Sequence, residues 1–505
     1  MKFSRPASHQ LIILIASTLF LAGLLLSVLP VKAQTFQVNP TWEYPSTIPG
    51  LHDSGLYPVI IADEEGTLHV FHSQPVAGSV SIFYIRWSPQ NGWSTLVDII
   101  NSPRGDARVF SGIIDQEGWI HLLFWDGDEL NADIYYTRAP VINAEKSTSW
   151  SEPILIGQSA LDPPAVGLAI DSDGTLVAVY SGSVRGNGLY VAQSQDNGIT
   201  WSSPEPMFLT YKTFWWPAAL QLYTDPHGRV FATWSVADAS GNGQAVYFSK
   251  RSPTTQQWAP ATLIADAIGF EADTPSIIKY NDNLMLVYHN NEPTTRWMRV
   301  SADNGETWTQ PVRLFDQVGS NGAAAMTIDG NNTLHMFFGN RVGMPAIHGA
   351  WHSQWLGEQW SKPEPIVSGP QVPAGAHGTE GFDPSFLQAT VIRGNMLFII
   401  WRHDPQAGPT NIWYSYKTVD APQQPITPLP TIEFSTPTTT PNPGESPTGT
   451  PPTTTPSSNT TYTAATELPP SSKAKTTNPN VNILVGIVPV TLLIFALAYW
   501  KTRGK

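Results

Sequence analysis

The sequence predicts an all-β chain dominated by a β-propeller of seven four-stranded blades, and three observations predict it. Trp 19, Tyr 16 and Phe 20 stand beside Gly 39 and Pro 45 in 505 residues, so strand-forming aromatics are interspersed with turn formers. Two series of short motifs interleave with a period of about 50 residues, the range in which repeats build propellers. The series are also out of phase at the two ends of the repeat region, as expected of a ring closed by its own N-terminus.

The first series is a Trp with a Pro two or three residues later, at Trp42, Trp150, Trp201, Trp258, Trp308 and Trp360; Trp93 fits without the Pro. The second is a polar turn leading into an apolar strand: Gly66-Thr67-Leu68, Gly118-Trp119-Ile120, Gly174-Thr175-Leu176, Gly228-Arg229-Val230, Asn283-Leu284, Asn332-Thr333-Leu334 and Gly394-Asn395-Met396. Each series counts seven. The third repeat sets the pattern, with strand A over 165–170, B over 176–180, C over 189–193 and D over 204–208, divided by turn residues. The last repeat has only A, B and C, over 387–392, 396–401 and 412–416, so the strand at Trp42 is expected to complete it. Six blades is the alternative count.

Both ends read as address signals. Lys2 and Arg5 precede an apolar run from Leu11 to Leu29, and Val31-Lys32-Ala33 offers a cleavage site, so residues 1–33 are expected to be a helical signal peptide. The propeller is expected over 34–421. Residues 422–480 are rich in Pro, Thr and Ser and too poor in apolar residues for a core, which predicts a disordered stalk. Val481 to Trp500 is an apolar run long enough to span a bilayer, followed by Lys501, Arg503 and Lys505 in a basic tail over 501–505. The expectation is an exported, single-pass cell-surface protein with the propeller outside. A cell-wall sorting signal is the alternative, for which Leu468-Pro469-Pro470-Ser471-Ser472 is a partial match.

Composition narrows the function classes. Lys+Arg 27 against Asp+Glu 40 gives a net charge of −13, which argues against a nucleic-acid partner. Cysteine is absent, which excludes disulfides, Cys-ligated metals and thiol nucleophiles. No cofactor or metal site is expected. Calcium held by several loop carboxylates is a weak alternative, since no contiguous loop resembles an EF-hand.

The sharpest motif is Ser194-Gln195-Asp196-Asn197-Gly198-Ile199-Thr200-Trp201, which returns 107 residues later as Ser301-Ala302-Asp303-Asn304-Gly305-Glu306-Thr307-Trp308. Ser88-Pro89-Gln90-Asn91-Gly92-Trp93 is a degenerate copy. The motif resembles the Asp-box, or BNR repeat, of the sialidase superfamily. Its residues are structural: Asp accepts turn amides, Gly supplies a positive φ and Trp packs between blades. In a four-stranded blade the A-to-B and C-to-D turns share one face, so the Asp-boxes mark the face opposite a pocket built from D-to-A and B-to-C loops.

Those loops supply the candidate site residues. Asp53, Asp106, Asp162, Glu271, Asp273, Glu380 and Asp383 form an expected acidic ring, Trp215 and Trp216 an aromatic wall, and His289, Arg108, Arg341 and Arg402 the basic members. The resemblance implies three arginines on the sugar carboxylate, a Tyr–Glu nucleophile and an Asp acid/base. This chain has Leu56-Tyr57-Pro58 where the family opens its first blade with Arg-Ile-Pro. Arg108, Arg341 and Arg402 would have to rebuild the clamp, with Asp162, Glu271 and Glu380 as candidate acid and base groups. The expectation is therefore a surface-tethered, sialidase-like propeller that binds a glycan or protein without sialidase activity. An exo-sialidase or other glycoside hydrolase, and a structural surface-layer component, are the alternatives.

Overall fold

The computed structural model describes residues 37–52, 58–102, 104–128, 131–162, 164–212, 214–266, 272–291, 294–315, 321–340, 348–369, 384–403 and 411–430. The chain divides into two compact units, Met1–Phe434 and Ser435–Lys505, and all described residues belong to the first. The predicted signal peptide, the transmembrane segment and most of the stalk lie outside the described residues. Among those described, no helix is long and apolar enough to cross a membrane, and the helices are two short 3-10 turns, Val141–Asn143 and Ser147–Ser149.

The architecture is all-β and propeller-like, built from successive four-stranded antiparallel sets whose strands we letter A to D. The first set is Val59–Ala62, Leu68–Val76, Ser79–Ser88 and Val97–Asn101. The second is Asp106–Ile114, Trp119–Gly127, Ala132–Pro140 and Ile154–Gly157. The third is Val166–Ile170, Leu176–Gly182, Gly188–Ser194 and Glu205–Leu209. The fourth is Trp216–Thr224, Val230–Ala237, Gly243–Lys250 and Thr262–Asp266. The fifth is Ala272–Tyr280, Asn283–Asn291, Thr294–Ser301 and the short Val312–Arg313. The sixth is Asn321–Ile328, Leu334–Asn340, His348–Gln354 and Glu364–Gly369. Pro384–Ile392, Met396–His403 and Asn411–Thr418 form A to C of the last set.

Strand D of that last set comes from the N-terminus. Ser46–His52 pairs with Asn411–Thr418 in the register Ser46↔Tyr414 and Thr47↔Trp413. Two residues nearer the start, Gln37–Val38, add a fifth strand to the sixth set opposite Ser368 and Val367, which the repeat pattern did not anticipate. The A strands of successive sets touch one another in order, and the last touches the first.

The tryptophan series explains how neighbouring sets adhere. Trp150 of the second set meets Phe71 of the first edge-on, and Trp201 of the third packs on Tyr136 of the second. Trp258 packs against the cluster shared by the third and fourth sets, Trp308 on Phe248, and Trp360 donates its indole N–H to Met298 at 3.4 Å. Trp42 lies against Phe337 and His352 of the sixth set, and Trp93 against Phe398 and Tyr414 of the last. Each large ring removes apolar surface from water at an inter-set contact, and truncating one of the buried ones, Trp42, Trp150 or Trp360, to Ala is expected to cost about 3–5 kcal/mol.

Residues 419–430 were expected to pass into the stalk at 422. They instead lie along the A-to-B turns: Gln424 N–H donates to Arg393 O at 2.9 Å, and Leu429 N–H to Glu65 Oε1 at 3.0 Å.

Candidate functional site

The two Asp-boxes fold alike. Ser194 Oγ donates to Asp196 Oδ1 at 2.8 Å and accepts the Gly198 N–H at 2.8 Å; Asp196 also accepts the Thr200 N–H at 2.9 Å and the Thr200 hydroxyl at 2.5 Å. Ser301, Asp303, Gly305 and Thr307 repeat the set at 2.7, 2.7, 2.9 and 2.6 Å. These hydrogen bonds to the charged form hold Asp196 and Asp303 down at about 2. The box also faces the preceding set. A Cβ on Gly198 would lie 2.0 Å from Tyr136 Oη, and one on Gly305 2.2 Å from Phe248 Cε1. Arg138 donates to Asn197 O and Lys250 to Asn304 O, gripping each loop from that neighbour.

A second turn motif on the same face had not been singled out from sequence. Asp63, Asp115 and Asp329 each accept turn amides, as Asp115 Oδ1 does from Glu117 and Trp119, and each reaches a buried His six residues on: His69 at 3.1 Å, His121 at 3.1 Å and His335 at 3.2 Å. The other ring nitrogen meets Tyr84, Tyr136 or His352. The spacing Asp-x-x-x-x-x-His, placed around the Gly or Asn turn, was the available signal. A cleft of about 990 Å³ on this face is walled by Asp115, Glu117, Asp171, Asp173, Asp196 and Asp225. Several of these carboxylates already hold partners: Asp171 pairs with Arg251, and Asp225 with Arg229 and Lys279.

On the opposite face, the second set corrects the expectation of an acidic ring. Arg108 Nη2 lies 2.7 Å from Asp106, its Nη1 lies 3.5 Å from Asp162, and its guanidinium sits 4.6 Å from the centroid of the Trp125 ring. Asp133 pairs with Arg104 at 2.5 Å, and Asp126, buried, takes the Ser102 hydroxyl. Burial raises Asp126 above the usual carboxylate range. Asp106 and Asp162, expected to stand free here, share Arg108, and Arg104 is committed to Asp133.

In the fifth set the strand register aligns Asp273 with His289 and His289 with Arg296. Asp273 accepts the Ser235 hydroxyl and the Thr274 N–H, a turn-capping role, and burial raises its pKa. Burial, then the Arg296 charge, pushes His289 down to about 4. Arg296 is fully buried, pushed down to about 9 by burial, and donates through Nη2 to Gly322 O at 2.9 Å.

The aromatic wall differs from expectation in which rings are open. Lys212 covers Trp215, with Nζ 3.6 Å from the ring centroid, and Tyr211 meets that ring edge-on at 5.3 Å. The Trp215 carbonyl accepts Asn187 and Thr210. Trp216 opens strand A of the fourth set opposite Ala237 and is half-buried. The rings turned to solvent are Tyr211 and Phe214, 72% and 74% exposed. The run of aromatics before Trp215-Trp216 was the signal that could have found them.

Arg402 lies in strand B of the last set, with its guanidinium 5.8 Å from the centroid of the Phe386 ring. It and Arg108 come from different sets. Arg341, Glu271, Glu380, Asp53 and Asp383 lie outside the described residues.

Residues 124–340 match the model of the BNR repeat-like domain, from within strand B of the second set to the end of strand B of the sixth. That match and the two Asp-boxes make this part of the chain similar to BNR repeats. No curated protein matches the chain in sequence. Among solved structures, a polysaccharide lyase PL25 ulvan lyase, bound to -[GlcA(1-4)Rha3S]-, is similar at 11% identity and a TM-score of 0.51, covering 73% of this chain and 95% of its own. The NanB sialidase from Streptococcus pneumoniae is similar at 9% identity and a TM-score of 0.42, covering 75% of this chain and 70% of its own. An intramolecular trans-sialidase from Ruminococcus gnavus is similar at 12% identity and 0.40, covering 74% and 96%. The first of these likenesses is one of fold alone.

Proposed function

We propose that this protein is a single seven-bladed propeller, exported and held at the cell surface by its stalk and C-terminal helix, that binds a neutral glycan or surface protein without hydrolysing sialosides. The observation that carries this reading is the state of Arg108, whose charge is shared between Asp106 and Asp162. A sialic acid clamp needs guanidinium charge left over for the ligand carboxylate. One guanidinium between two carboxylates offers a local excess of negative charge instead, which repels an anionic sugar and tolerates a neutral one.

The binding element in this reading is the loop between the third and fourth blades. Phe214 and Tyr211, the latter with Lys212 Nζ 5.5 Å from its ring centroid, are both largely exposed and offer rings on which the apolar face of a sugar stacks while its hydroxyls stay wet. The cyclic contact of the A strands and the ring of tryptophans support the blade count. The tether rests on composition: an apolar run over 481–500 ending in Lys501, Arg503 and Lys505.

The test is binding of the full chain to a panel of neutral and sialylated glycans, with Tyr211→Ala/Phe214→Ala as the variant. Neutral ligands that bind wild type and are lost in the variant support the reading; retention of every ligand by the variant refutes it. Protease added to intact cells should release the propeller, and its protection would overturn the topology.

A further inference from the structure

We infer that residues 420–430 are a clasp, docked on the A-to-B turns, that reinforces the junction where Ser46–His52 pairs with Asn411–Thr418. The chain enters the last set twice, at Ser46–His52 and at Asn411–Thr418, and these two passages are joined non-covalently, by their strand pairing, by the Ser415 hydroxyl donating to Glu43 O and by the packing of Ile48 and Leu51 with Ile412. Tension on a C-terminal tail would peel the later strand from the earlier one unless the tail were first fastened elsewhere.

The tail is fastened on both sides of that junction. Val419 N–H donates to Asn395 O at 2.8 Å and Asn331 Nδ2 donates to Asp420 O, which tie the tail to the last and sixth sets. Gln424 donates its N–H to Arg393 O, and the Arg393 guanidinium returns to Gln424 O at 3.2 and 3.1 Å. Arg393 itself lies over the first set, where a Cβ on Gly66 would be 2.6 Å from its Cδ. Beyond the junction, Thr427 N–H donates to Glu64 O at 3.3 Å, Leu429 N–H to Glu65 Oε1 at 3.0 Å, and the Leu429 side chain packs on the core of the first set. Pro430 ends the described tail against Gly118 of the second set.

The segment contains Pro422, Pro425, Pro428 and Pro430. Proline removes an N–H and fixes φ, so the chain is held extended and little conformational freedom is lost when it docks. The N–H groups at 424, 427 and 429 between those prolines are the ones that find acceptors. Each bond is modest by itself. Docked side by side on four sets, they act at high effective concentration and share a load that would otherwise fall on that junction.

Hydrogen exchange on the full chain tests this without reference to any ligand. In wild type the amides of Gln424, Thr427 and Leu429 should exchange at least about tenfold more slowly than amides in 435–480, as docked groups do. Leu429→Asp, and separately the milder Glu65→Ala, should release all three and speed exchange in Ser46–His52 and Asn411–Thr418, with Leu176–Gly182 unchanged as the folding control. Free exchange of the tail in wild type would overturn the clasp. So would a released tail that leaves exchange at the junction strands unchanged.

Discussion

The Nζ of Lys212 lies 3.6 Å from the centroid of the Trp215 ring. A cation at that distance takes the ring face a sugar would use, and the carbonyl of Trp215 is committed to Asn187 and Thr210. Trp215 is thereby part of the loop's frame, and Tyr211 and Phe214 are its open surface.

This division predicts opposite outcomes for two changes. Trp215→Ala should lower the melting temperature, since a packed ring with a cation–π contact is lost. Tyr211→Ala with Phe214→Ala should leave it within a degree or so of wild type, because exposed side chains contribute little to stability, while weakening ligand binding about tenfold or more. Thermal melts and a binding titration on the same samples distinguish the two.

The Asp-box glycines should be intolerant for a reason outside their own loop. Gly305→Ala places a methyl 2.2 Å from Phe248 at a φ of +89°, and destabilisation of about 1–3 kcal/mol is expected from crowding and backbone strain. Gly241, at φ +82° with nothing within 4 Å of its added Cβ, isolates the backbone cost. A Gly305→Ala loss no greater than that of Gly241→Ala in chemical denaturation would remove the inter-set argument.

Acid should unlock the same loops. Asp196 and Asp303 sit at about 2 in the folded protein, below the ordinary value near 3.9. A depressed folded pKa means that their contribution is complete above about pH 4 and is lost as pH falls through about 2. The melting-temperature gap between wild type and Asp196→Asn/Asp303→Asn should therefore hold steady from neutral pH to about 4.5 and narrow below it. A gap that narrows already above about pH 5 would contradict the assignment.

Buried histidines act at milder pH. Burial, reinforced by the neighbouring His335, pushes His352 down to about 3. In the unfolded chain it titrates near 6.5, so the unfolded state takes up the proton first and stability declines as pH falls below about 6.5 toward 3. His352→Gln should flatten the decline in denaturant midpoint between pH 7 and 5; an unchanged slope would place the titration elsewhere.

How much of this was readable from sequence depends on how local each determinant is. The Trp and Gly turns announce their own positions, and strand boundaries in the third set fall within two residues of those expected. Ser46–His52 was recoverable because the last set visibly lacked a D strand. The pairing of Arg108 with Asp162, 54 residues away, and of Gly305 with Phe248, 57 residues away, depends on how neighbouring sets meet, and no spacing encodes it. The docked tail is hidden by its composition: Pro422 to Pro430 reads as stalk, and only Leu429 and three amides distinguish it.

In the proposed reading Arg108 is not part of a carboxylate clamp, and turnover of a fluorogenic sialoside by the full chain is the direct check. No release of fluorophore above the buffer rate is expected, in wild type and in Arg108→Ala alike. Robust turnover by wild type that Arg108→Ala, Arg341→Ala or Arg402→Ala abolishes would contradict it and establish the enzyme.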